Sequence, residues 1–170
     1  MSDWLKAFNP TAPVHGEAEA QRAARASAVS IFIGVAVGVV SLVWSLANPA
    51  DIQAVVAQAS GNDATVAAAA EMGVQMGLWM GGILTVIQLV FGVVQWRDPK
   101  SFIAILFLVL LGLGIVSALA APMMGGVSGV ITPIWQVILS LAIMAVQTVL
   151  HVAGLRGIKA LDRIQMAAAR

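Results

Sequence analysis

Three stretches of this chain contain no Asp, Glu, Lys or Arg: 25 residues between Arg25 and Asp51, 25 between Glu71 and Arg97, and 55 between Lys100 and Arg156. A hydrocarbon core about 30 Å thick takes roughly 20 apolar residues in helical form, so each shorter stretch fits one crossing. As one helix the third would extend roughly 80 Å at about 1.5 Å per residue. Pro122, Gly125, Gly126, Gly129 and Pro133 interrupt its middle, so it divides into two crossings joined by a short turn. Helix is required because hydrocarbon cannot satisfy an open sheet edge. The sequence therefore predicts an all-α, integral membrane four-helix bundle with spans at about 27–47, 72–96, 102–121 and 134–152. Residues 1–26 form an amphipathic or helical N-terminal segment, and 153–170 a basic C-terminal helix.

Composition excludes the main alternatives. Sixty percent of residues are hydrophobic and 10% charged, against about 25% charged in a soluble domain. A water-soluble monomer and a disordered chain are both disfavoured. A net charge of +1 gives no bulk attraction to nucleic acid. With no cysteine there are no disulfides, thiol nucleophiles or zinc–thiolate sites.

Local signals place the helix ends. Asp98 followed by Pro99 reads as a cap before a proline at the first helical position, opening the third span, and Thr132–Pro133 reads the same way for the fourth. Asn48–Pro49 ends the first span and starts a short helix over 50–59. Ser60, Gly61 and Asn62 make a turn, and Asp63 caps a second long helix that begins outside the membrane and runs through the alanines at 67–70. Ser45-Leu46-Ala47 loosely resembles a signal-peptidase site. The first apolar stretch is nevertheless read as an uncleaved span, since about 28 residues precede it and it is longer than a usual signal core.

All nine basic residues lie in three regions: Lys6, Arg22 and Arg25; Arg97 and Lys100; and Arg156, Lys159, Arg163 and Arg170. Four crossings put these regions on one side, and the opposite loops carry only Asp51, Asp63 and Glu71. The positive-inside rule then predicts both termini in the cytoplasm. Trp44, Trp96 and Trp135 fall at span ends, where amphipathic rings concentrate. Trp79 falls two turns inside and is assigned to packing between helices. Trp4, Leu5 and Phe8 can share one face of a short interfacial element ended by Pro10 and Pro13.

Small residues recur every four positions in span one (Ser30, Gly34, Gly38) and span two (Gly73, Gly77, Gly81). Such stripes let backbones approach closely, and they predict packing of span one on span two or of one chain on another. Met72, Met76 and Met80 run alongside as pliable packing rather than a metal path. Gln136, Ser140, Met144, Gln147 and His151 share one side of span four. Gln88 of span two lies at the depth of Gln147, so the expected polar seam is Gln88, Gln136, Ser140, Gln147 and His151.

Chemistry is sparse. His15, Glu17 and Glu19 form a loose cluster at a helix start, where acids suit the macrodipole, and no metal site is expected there. No phosphate loop, nucleophile elbow or zinc motif is present, so no cofactor and no catalytic residue are expected. The leading expectation is a non-enzymatic multi-pass protein whose partners are membrane lipids and other transmembrane helices, an accessory subunit or scaffold. The alternative is a small oligomeric transporter or channel with a polar path between spans two and four. The alanine and valine richness has the look of a small bacterial four-helix membrane protein, which points to the inner (plasma) membrane.

Overall fold

A computed structural model describes residues 3–61, 63–128 and 133–169. It contains α1 (Asp3–Phe8), α2 (Glu17–Ala47), α3 (Pro49–Ser60), α4 (Ala64–Arg97), α5 (Ser101–Ser128) and α6 (Ile134–Ala168), and no strand among the described residues. Helices α2, α4, α5 and α6 are long and apolar enough to cross a membrane. The chain is an all-α integral membrane bundle of four such helices.

Several helix ends follow the local signals. Asp63 caps α4, its carboxylate accepting from Thr65 N at 2.8 Å and Val66 N at 3.2 Å. α3 stops at Gly61, whose φ of +55° lies in the left-handed region that favours glycine. Asn62 and Thr132, also assigned to turns and caps, lie outside the described residues. α2 begins at Glu17, well before the expected start near 27, and α6 runs unbroken through the basic segment to Ala168.

Two expectations are corrected. Asp98 does not cap α5. It ends α4, its N–H donating to Val94 O at 2.8 Å, and α5 starts at Ser101. The cause is Gln95, whose Oε1 accepts the Lys100 N–H at 2.9 Å and ties the linker to the end of α4. α5 also continues past Pro122 to Ser128 rather than ending near 121. Proline within a span costs one backbone bond, a loss that membrane helices accommodate by local adjustment.

The helices alternate in direction. α2 is central, with α6 on one side, α4 on the other and α5 against α6. Along the α2–α6 seam Ala23 and Ala24 face Gly157, Ser27 faces Gly154, and Ser30 bonds Gln147. Along the α2–α4 seam Phe32 faces Gly92, Gly38 faces Thr85 and Leu42 faces Gly81. Burial concentrates at the end of the bundle bearing the termini, where Ala20, Ala24, Ala26, Ser27, Ala28, Gln95 and Ala104 have no exposed surface. The loop end is splayed, and α4 buries only Gly92 and Gln95 along its whole length.

α1 is docked against this packed end rather than trailing. Trp4 stacks on Trp96 with centroids 6.2 Å apart, and Phe8 packs on the Ala26–Leu150–Ala153 cluster. Lys6 Nζ is 2.8 Å from Glu19 Oε1, and Arg156 donates to Asn9 O at 3.1 Å. The Lys6 ammonium, helped by the His15 N–H, holds the Glu19 carboxyl down at about 2. Glu19 therefore serves as an ion-pair and turn partner for α1 and its linker.

Candidate functional site

Of the five polar positions expected to form one seam, four line one cleft. Gln88 from α4 and Ser140, Gln147 and His151 from α6 open onto a space of about 300 Å³, together with Ser30 and Gly34 of α2 and Phe107 of α5. Gln136 does not line it and lies exposed one turn nearer the loop end of α6. The apolar remainder of the wall comes from Ile31, Val37, Leu110, Leu111, Ile143 and Met144.

The cleft exists because side chains are missing where three helices converge. A Cβ on Gly34 would lie 3.1 Å from Gln147 Nε2 and 3.3 Å from Gln88 Oε1. Glycine there lets both amide groups fold in over the α2 backbone. Gln147 does not spend its amide on Gln88, although the two lie at similar depth. It donates to Ser30 O at 3.1 Å, while Ser30 Oγ donates to Gln147 O at 3.0 Å. This reciprocal pair fixes the register of α2 against α6 and leaves Gln88 without a hydrogen-bond partner among the described residues. His151 is 1% exposed. Its ring stacks on Phe107 with centroids 5.9 Å apart and planes inclined by 17°, and Nδ1 has no partner among the described residues. Burying such a group uncompensated is unfavourable.

The glycines are placed unequally. Gly34 and Gly38 face α4 and α6 side chains, and a Cβ on Gly38 would lie 2.6 Å from Thr85 Oγ1. A Cβ on Gly81 would lie 3.8 Å from Leu42, whereas one on Gly73 or Gly77 would have nothing within 4 Å among the described residues. Trp79 is likewise not between the chain's own helices. It is 76% exposed beside a second, wider groove of about 780 Å³ that Leu42, Leu46, Gln75, Gly82 and Ile83 also line. The reason is looser packing of α4 on α2 toward the loop end: a Cβ on Gly81 or Gly82 would still lie 3.8 or 4.0 Å from Leu42, and one on Gly77 would meet nothing within 4 Å among the described residues.

Sequence reasoning missed Phe107 and the Ser27–Gln95–Lys100 tie, in which Gln95 Nε2 donates to Ser27 Oγ at 2.7 Å. Spacing did not single out Phe107: by the expected span bounds Phe102 lies nearer the depth of His151. No family model matches the chain, and no significant match is found among curated proteins or solved structures.

Proposed function

We propose that this protein acts by association within a membrane, as an accessory subunit or self-associating scaffold, and is not an enzyme. The observation that carries the reading is the exposed face of α4 at the loop end, bearing Gly73 and Gly77, which α2 and α3 leave open. Apolar exposure alone distinguishes nothing in lipid, because lipid tails are as apolar as leucine. Glycine does distinguish: in a helix it is less favourable than alanine by about 1 kcal/mol, and a Cβ on Gly73 or Gly77 would meet nothing within 4 Å among the described residues. On the adjacent face, the Trp79 groove is unfilled. Both features suit the close approach of another transmembrane helix.

The same proposal sets the protein in a plasma membrane, of bacterial inner type, with both termini cytoplasmic. The nine basic residues gathered at the termini end support this. They also suit contact with anionic lipid along the α6 extension. The transport alternative draws support from the cleft that unites Gln88 with the span-four polar residues. Its described polar lining stops at Ser140, which fits a binding pocket better than a path through one chain.

Mass measurement in mild detergent tests the association. The wild type is expected to run as an assembly, and Gly77→Leu or Trp79→Ala to run as monomers with unchanged helicity, since a Cβ on Gly77 meets nothing among the described residues and Trp79 is exposed. A wild type that is strictly monomeric, with no stoichiometric partner, overturns the reading.

A further inference from the structure

We propose that the cleft among α2, α4, α5 and α6 binds an uncharged lipophile whose head group carries carbonyl or hydroxyl oxygen, of the quinone or fatty-alcohol kind. Charge decides the class first. No Asp, Glu, Lys or Arg is among the lining residues, so a phosphate, carboxylate or ammonium entering from lipid meets no opposite charge to offset its desolvation. Hydrogen bonding decides the head group. Gln88 offers an amide without a partner among the described residues, and His151 lies at the cleft wall almost wholly buried with Nδ1 likewise unpartnered. A carbonyl or hydroxyl oxygen is a neutral group that can pair with an amide N–H or an imidazole, whichever tautomer the ring adopts.

Shape decides the rest. A space of about 300 Å³ is at the small end of the range for ligand pockets, roughly 300–1,000 Å³. The walls beyond the polar groups are Val37, Leu110, Leu111, Ile143 and Met144, and they suit an apolar body or tail. The cleft is open rather than enclosed, so a tail longer than the pocket can continue into lipid. Gly34 and Gly114 keep the space free, and any Cβ on Gly34 would press on the two glutamine amides. The polar groups gather around Gly34 and His151, so the head group seats toward the termini end and the tail points toward the middle of the bundle.

The test uses the full chain in phosphatidylcholine nanodiscs, with protein-free nanodiscs as the partition blank. Decylubiquinone and 1-decanol are the neutral probes and decanoate at pH 8 is the ionised one. Saturable uptake of at least one neutral probe, near one per chain, is expected, and the pattern between the two identifies the head group. Gln88→Leu and His151→Phe are each expected to weaken that uptake about tenfold, with decanoate failing to compete. Uptake no greater than in the blank, competition by decanoate, or full affinity in the variants overturns the proposal. Gln88 is partly exposed and makes no hydrogen bond among the described residues, so Gln88→Leu remains decisive even where His151→Phe does not fold.

Discussion

A single methyl group added at Gly157 is expected to lower stability by about 3 kcal/mol or more, at the upper end of overpacking changes. A Cβ at this position would overlap the Ala24 backbone nitrogen and lie 2.5 Å from the Ala23 carbonyl carbon. Backbone cannot rotate away as a side chain can, so α2 and α6 must separate along the seam. Gly154 is nearly as tight, with a Cβ falling 2.5 Å from Ser27 Cβ and 2.7 Å from Ser27 N. Separation there also pulls on the Ser30–Gln147 pair and on the cluster of Ala26, Leu150 and Ala153 that seats Phe8. Gly112→Ala is the control, because a Cβ there meets nothing within 4 Å among the described residues and alanine favours helix by up to about 1 kcal/mol. The same chemical change should thus move thermal unfolding in opposite directions, down by roughly 6–12 °C at Gly157 and level or slightly up at Gly112. Thermal scans by circular dichroism in mild detergent read both, and equal transitions for the two variants would show that the α2–α6 seam is looser than these distances imply.

The number of spans was legible because charge is excluded from hydrocarbon at several kcal/mol per group, which leaves charge-free stretches. The cleft was largely legible too, because steps of three and four along α6 put Ser140, Gln147 and His151 on one side whatever they face. Partner choice was legible only in part. Gly34 and Gly38 face α4, as the stripe predicted, yet α2 is in closest contact with α6 through Ala23, Ala24 and Ser27 against Gly154 and Gly157. That pattern is visible as small residues at 20, 23, 24, 27 and 30. Hydropathy does not pick it out, because it begins before the apolar stretch, and Gly154 and Gly157 follow the expected end of span four. Small-on-small packing depends on backbone approach and not on hydropathy, so a search for apolar spans cuts it at both ends. Gln136 shows the converse limit. Periodicity assigned it to the seam, but the cleft ends at Ser140 and leaves Gln136 exposed.

Gln95→Leu is expected to lower stability by about 2–4 kcal/mol, combining a lost interhelical bond with a backbone N–H left unpaired. Hydrogen bonds between membrane helices average only about 0.6 kcal/mol, which would make Gln95 a minor residue. Two observations raise it above that average. Its side chain has no exposed surface, and it bonds at both ends, donating to Ser27 Oγ at 2.7 Å and accepting from Lys100 N at 2.9 Å. Ser27→Ala keeps the Lys100 bond and removes two others, the one accepted from Gln95 Nε2 and Ser27's own to Ala24 O at 3.0 Å, and should cost about 1–2 kcal/mol. Comparing the two variants at Lys100 isolates the tie to the linker. That tie sets where α5 begins, and from there the position of Ile103 and Phe107 against Ile31 and of Phe107 against His151. Two readouts follow from this chain of contacts. The Lys100 amide should exchange with solvent much faster in Gln95→Leu than in Ser27→Ala. Decylubiquinone or decanol uptake should weaken in Gln95→Leu although Gln95 does not line the cleft. Unchanged protection at Lys100 would mean that Pro99 and the linker fix the start of α5 without Gln95.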